Sequence, residues 1–375
     1  MSRVPPPLPP IDPTLRTPGR GTAAQPAPRF DREHRSWDHD GWDIPEDEHR
    51  ANRQVTIERP RSVIAWNESP DLGFDRAVNP YRGCEHGCIY CYARPTHAYL
   101  GLSPGLDFET RLIARPDAAQ VLERELGRKG YRVAPMALGS NTDPWQPVEG
   151  QYRVTRSILE VLSAWNHPVS ITTRGTLIER DLDILSDMAR RNLVEVGISV
   201  TTLDAGLARA LEPRAPSPQR RLAIMRRIAD AGIPLRLNMG PLIPGLTDHE
   251  IEGLLDAGYR AGARTAWWAI VRLPHEVSPL FRDWLARHRP NHADKVMRLI
   301  NEMRGGQDND SRFHSRFRGS GPMAQLMAAR VKRAQTPRLC RGVASAGPVA
   351  LCAATQSRAA TGAILNRRDQ RHERV

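Results

Sequence analysis

Residues 83–93 read GCEHGCIYCYA, so one short stretch holds three of the five cysteines in a chain of 375 residues. Cys84, Cys88 and Cys91 stand at the spacing C-x3-C-x2-C. Three thiolates from one loop can each take one iron of a [4Fe–4S] cube, leaving the fourth iron without a protein ligand. An open metal position is a place for a substrate or cofactor to coordinate. Gly83 and Gly87 suit a loop that must curl around such a cube, because glycine accepts backbone angles that other residues resist. Tyr90, directly before the third cysteine, offers an aromatic face beside it. The competing reading is a Cys3His zinc knob in a nucleic-acid-binding protein without catalysis, with His86 or His97 as fourth ligand. Against zinc, no second ligand pair follows at zinc-finger spacing, and a strand and helix alternation follows instead.

That alternation begins near Ser62 and predicts βα units around a parallel sheet. A short strand near Ala77 to Pro80 leads into the cysteine loop, and five more are expected in YRVAPMALGS, PVSITTRG, LVEVGISVTT, PLRLNMGPL and RTAWWAIVRL. Helices are expected over 117–128, 151–165, 178–191, 217–231, 247–261 and 291–304. Asp117 is the expected cap of the first, and Thr247 with Glu250 the expected capping box of the fifth. The predicted fold is α/β, a partial (β/α)6 barrel of the TIM type, whose chemistry belongs in the loops at the C-terminal strand ends. The core is expected over 61–333. Residues 1–60, with nine prolines in the first 30, read as a disordered Pro-rich and charged leader, and 334–375 as a basic low-complexity tail.

The net charge is +12, but residues 330–375 carry 10 basic and 2 acidic side chains, residues 1–59 carry 9 and 10, and +5 remains between them. The globular part is therefore only mildly basic, which allows a nucleic-acid partner without requiring one. No run of roughly 18 apolar residues offers a membrane span, and MSRVPPPLPP lacks the apolar core of a signal peptide. With so few cysteines there is no disulfide scaffold, and the cytoplasm is the expected location.

The longer run NPYRGCEHGCIYCYARP resembles the radical S-adenosylmethionine (SAM) superfamily, and most of all its spore photoproduct lyase-like branch, where a Tyr also follows the last cysteine, here Tyr92. The resemblance covers roughly residues 75–330. It implies a [4Fe–4S] cluster on Cys84, Cys88 and Cys91, SAM on the open iron, and lyase- or oxidoreductase-type radical chemistry that abstracts hydrogen from a substrate, with nucleic acid admitted. It also implies an electron donor such as flavodoxin or ferredoxin. On the same resemblance, Gly139, Ser140, Asn141, Thr142 and Asp143 in GSNTDPWQP stand where the family binds the SAM amino group. Arg174 and Ser199 match contacts to its carboxylate, Gly245 in PLIPGLTD lies at the adenine-contacting strand end, and Tyr90 flanks the cluster. Each has a plainer reading: an Asx turn at Asn141 or Asp143, a surface arginine, a buried strand serine, a helix-entry turn. Glu212 and Arg214 in LEPRAP are expected to pair with each other. Trp267 and Trp268, adjacent in a strand, must face opposite ways. The lyase returns a hydrogen atom through a cysteine outside its motif, yet no cysteine stands between Cys91 and Cys340. Tyr99 is the candidate substitute, and thymine-dimer repair is not the expected reaction.

Overall fold

The computed structural model describes residues 19–22, 24–30 and 53–339. Ten strands form: β1 (Gln54–Ile57), β2 (Ile64–Trp66), β3 (Arg76–Val78), β4 (Tyr81–Arg82), β5 (Arg111–Ala114), β6 (Met136–Leu138), β7 (Val169–Thr173), β8 (Val194–Ser199), β9 (Leu235–Leu242) and β10 (Thr265–Ile270). The main sheet runs β10-β9-β8-β7-β6-β3-β2. Its pairings from β3 to β10 are all parallel, and β2 closes one edge antiparallel to β3. These six parallel strands are the ones the sequence predicts, in order. The small sheet β1-β5-β4 lies beside them.

Helices Ala118–Leu126, Val154–Ala164, Leu182–Arg190, Pro218–Asp230 and Ile251–Arg260 return the chain between successive strands. Their buried apolar stripes (Ile158, Leu159 and Leu162; Ile224, Met225 and Ile228) pack on Ile171, Val196, Leu237 and Met239, all sealed from solvent. The opposite face of the same strands is polar. Arg236 ion-pairs Glu195 there, its Nε donates to Asn238 Oδ1 at 2.9 Å, and register places Trp267 opposite Asn238. Strand alternation therefore makes a greasy outside and a polar lumen. Trp267 faces the lumen, and Trp268 faces outward under the guanidinium of Arg318, 4.0 Å from its ring centroid.

Two local expectations are corrected. Asp117 makes no capping hydrogen bond. Thr247 is no capping-box residue either: its hydroxyl accepts from Ile243 N at 2.8 Å, while Glu250 reaches away to Thr202 and Leu203 N. Helices Val277–His288 and Gly321–Leu339 were not expected, and the first is pinned by Trp284, whose Nε1 donates to Ala210 O at 3.0 Å.

The leader expected over 1–60 is not peripheral where it is described. Thr22 and Ala24 are buried, Leu106 N donates to Ala24 O at 3.1 Å, Ser103 Oγ donates to Pro26 O at 2.8 Å, and Arg29 pairs with Glu276 at 3.1 Å. Residues 53–60 supply β1. The rest of that leader, and residues 340–375 of the expected tail, lie outside the described residues.

Arg94 and Glu109 form a fully buried ion pair at 2.5 Å that holds this corner together. Arg94 donates to the carbonyls of Cys88 and Gly105, both at 2.9 Å, and Glu109 accepts from Gly21 N at 3.0 Å. Removing one partner of such a pair strands a buried charge. Arg94→Leu is expected to lower stability by about 3–5 kcal/mol in urea unfolding, whereas Arg190→Ala, at an exposed pair with Asp187, leaves the midpoint nearly unmoved.

Candidate active site

The cysteine loop leaves the main sheet after β3, passes through β4 and crosses the C-terminal mouth of the barrel. Gly83 and Gly87 both take positive φ, 76° and 67°, angles that other residues resist. A Cβ on Gly83 would stand 2.9 Å from Phe108 O, and one on Gly87 2.7 Å from Glu109 Oε2. Cys84 N donates to Phe108 O at 2.9 Å, Glu85 N to Gln146 Oε1 at 2.9 Å, and Ile89 N to Leu211 O at 3.0 Å. All three cysteines are free thiols; Cys84 and Cys88 are buried and Cys91 is half-buried. Burial pushes the Cys84 thiol up, as do Asp143 and the other two sulfurs nearby. Burial likewise carries Cys88 to about 12, against the pull of Arg174. Thiols held so far above neutrality become thiolates on binding a metal centre.

The two histidines of the zinc reading have contacts of their own. His97 lies edge-on to Phe108, its Nε2 is 3.0 Å from Arg111 O, and His86 Nδ1 faces Asp143 at 3.5 Å. Burial lowers both imidazoles to about 4. Among the described residues no three Cys, His, Asp or Glu side chains converge tightly enough to chelate one metal ion. Free thiols gathered in one loop are the donors that a [4Fe–4S] cluster takes.

Arg174 follows β7 and turns into this loop. Its Nη1 lies 2.8 Å from Cys88 Sγ, 2.9 Å from Glu212 Oε1 and 3.0 Å from the Tyr90 hydroxyl. Glu212 also binds Arg221 and Tyr90, and accepts from Thr201 Oγ1 at 2.9 Å. The expected Glu212–Arg214 pair is therefore corrected: Glu212 is buried among Arg174 and Arg221, while Arg214 reaches Glu85 at 3.7 Å. Burial alone would raise the Glu212 carboxyl; Arg221 and Arg174 outweigh it and hold it at about 2.

Within GSNTDPWQP the residues divide. Gly139 has φ 86°, and a Cβ there would collide with Thr172 O at 2.1 Å. Ser140 Oγ accepts from Asn79 Nδ2 at 3.3 Å, and Asn141 N donates to Asn79 Oδ1 at 3.0 Å. Thr142 instead donates to Tyr81 O at 2.8 Å, and Asp143 closes the Asx turn, accepting from Trp145 N at 2.9 Å and from Arg174 N at 2.8 Å. Ser199 lies on the lumen row opposite Asn238. Gly245 has φ 76° and its N donates to Asp248 Oδ1 at 2.7 Å, with Leu299 rather than the mouth on its open side. Tyr99 is exposed and packs on Phe30, whereas the Tyr92 hydroxyl donates to Ser140 O at the mouth. Sequence reasoning passed over Arg94, Glu109 and Arg221. A charged residue three positions past Cys91, inside an otherwise apolar turn, was the available signal for Arg94.

The family model of the radical SAM superfamily matches residues 78–257. The uncharacterized protein Rv2578c of Mycobacterium tuberculosis is 39% identical over 250 residues, 65% of this chain and 74% of the relative. The uncharacterized protein MJ0683 of Methanocaldococcus jannaschii is 25% identical over 199 residues, 53% of this chain and 72% of that one. Among solved structures, spore photoproduct lyase complexed with dinucleoside spore photoproduct superposes with a TM-score of 0.57 at 14% identity, covering 78% of this chain and 82% of that one. Its likeness is one of fold. The chain belongs to the radical SAM superfamily, whose enzymes use a [4Fe–4S] cluster and SAM for radical chemistry and need an electron donor. Among the described residues no helix is long and apolar enough to cross a membrane.

The Glu212 carboxyl titrates at about 2 in the fold, below the ordinary 4.5. Its stabilisation is thus fully present above pH 4.5 and is lost as pH falls toward 2. Unfolding free energies from urea titrations between pH 5 and pH 2.5 are expected to fall by roughly 2 kcal/mol more for the native chain than for Glu212→Gln.

Proposed function

We propose that Cys84, Cys88 and Cys91 hold the [4Fe–4S] cluster at three corners, with the open corner facing the barrel lumen. The observation that carries this reading is the placement of three free thiols in one glycine-hinged loop at the C-terminal mouth, with an anchored guanidinium 2.8 Å from one sulfur. When bound, the cluster and SAM supply reductive cleavage of the sulfonium and a carbon-centred radical that abstracts hydrogen.

The chain's own groups divide the remaining work. Glu212 and Tyr90 fix Arg174 through Nη1, while its Nε and Nη2 make no hydrogen bond with the described residues; that edge suits the SAM carboxylate bidentately. Ser199, on the lumen row, is placed to add a second contact. Ser140 and Asn141 offer oxygens for the amino group, with Gly139 admitting close backbone approach. Thr142, Asp143 and Gly245 act in this reading as frame, since their polar groups are spent on the fold.

The substrate enters the polar lumen, and the fold shared with spore photoproduct lyase supports a nucleic-acid substrate in lyase- or oxidoreductase-type chemistry. Thymine-dimer repair is not proposed, because no cysteine stands between Cys91 and Cys340 to return the hydrogen. Flavodoxin or ferredoxin is the proposed electron donor and the cytoplasm the proposed compartment, where thiols stay reduced.

Anaerobic reconstitution is expected to give a brown protein with about four irons and four sulfides per chain, lost in Cys84→Ala, Cys88→Ala and Cys91→Ala. Dithionite with SAM is expected to yield 5′-deoxyadenosine, measured by chromatography. A colourless protein binding one zinc would overturn the reading.

A further inference from the structure

Arg272 lies just past β10, at the mouth and across from the cysteine loop. Its guanidinium carbon sits 5.6 Å from the ring centroid of Tyr92 and 5.2 Å from that of Phe317. Its Nε is buried with no hydrogen-bond partner, and no carboxylate among the described residues pairs with it. The acid that bears on it most, Asp71, is already taken: Arg316 Nε donates to Asp71 Oδ2 at 2.8 Å, and His314 N donates to the same oxygen at 3.1 Å. Phe317 in turn stands edge-on to the lumen-facing Trp267 at 5.9 Å.

Ring faces offset part of the cost of burying a guanidinium, but a desolvated cation with hydrogen-bond donors left over stays expensive. Every other arginine around this mouth has acceptors. Arg304 donates to Val271 O and Arg316 O, both at 2.8 Å, Arg318 donates to Trp268 O at 2.7 Å, and Arg174 has Glu212. Burial and then Arg272 push Arg304 down to about 10, so the local field is short of negative charge. What would complete this corner is an anion.

We propose that Arg272, held between Tyr92 and Phe317, receives a phosphate of the substrate, one carried by a molecule with a ring flat enough to stack on this aromatic wall, as a nucleotide base is. A guanidinium takes a phosphate through two parallel donors, and Trp267 and Phe317 present stacking surface toward the lumen. The inference rests on the proposed catalytic mouth but concerns substrate alone, since Arg272 touches Tyr92 and Phe317 whereas Arg174 touches Cys88, Tyr90 and Glu212.

Calorimetric titration of the reconstituted holoenzyme with dTMP and with thymidine tests it. The native chain is expected to bind dTMP at least about tenfold more tightly than thymidine. Arg272→Gln is expected to erase that difference, and Arg272→Lys to keep part of it, because the charge survives without the planar fork. Iron content and substrate-free 5′-deoxyadenosine formation are expected to be unchanged in Arg272→Gln. Equal binding of dTMP and thymidine by the native chain, or native-like dTMP binding by Arg272→Gln, would overturn the proposal. So would a tenfold fall in substrate-free 5′-deoxyadenosine, which would put Arg272 in the SAM site. If the native chain forms no 5′-deoxyadenosine, the catalytic reading fails instead, while the dTMP comparison still decides the phosphate site.

Discussion

Holding three thiols in a buried loop is the constraint on which the rest of the site depends. A loop that turns back on itself at Gly83 and Gly87 leaves main-chain groups without ladder partners, and a buried polar group without a partner is costly. Arg94 solves much of this from within, because one guanidinium serves the Cys88, Pro104 and Gly105 carbonyls and is itself neutralised by Glu109. Gln146 adds a second strap, accepting from Glu85 N and donating to Gly83 O. The cysteines are therefore positioned by polar contacts around them, and packing only seals the result.

The same mouth holds two arginines in opposite electrostatic conditions. Arg174 is neutralised by Glu212, which Arg221, Tyr90 and Thr201 hold in turn. Arg272 has ring faces and, among the described residues, no paired carboxylate. Low dielectric strengthens both situations: it makes the first a rigid fixture beside a sulfur and the second a strong attractor for a negatively charged group.

An incomplete barrel leaves an open side, and the chain closes it with elements beyond the βα repeat. Asp71, between β2 and β3, reaches Arg316 beyond β10 across the gap between the two edges of the main sheet. The short helix Ser315–Arg318 carries Phe317 to Trp267 at the β10 edge. On the other flank, residues 20–22 and 24–26 lie against 103–109 and fix the backbone behind the cysteine loop.

The sequence alone determined the six parallel strands, their order and the cysteine loop. Each rests on local chemistry: apolar runs such as PVSITTRG specify buried strands, amphipathic stretches specify the helices between them, and the C-x3-C-x2-C spacing with its two glycines specifies a loop that presents thiols. Only the tertiary structure decided the partners of the charged residues. Glu212 and Arg214 are two positions apart in LEPRAP, yet Glu212 points inward to Arg174, which arrives from the preceding βα unit, and to Arg221 on the helix that follows it, while Arg214 points out to Glu85. Thr247 and Glu250 match a capping box by letter but are drawn off by Ile243 and Leu203. Nor does spacing place Arg272 between Tyr92 and Phe317. Ion pairs and ring contacts act over a few ångströms between segments far apart in the chain, so their identity is fixed when the barrel brings its strand ends to one mouth.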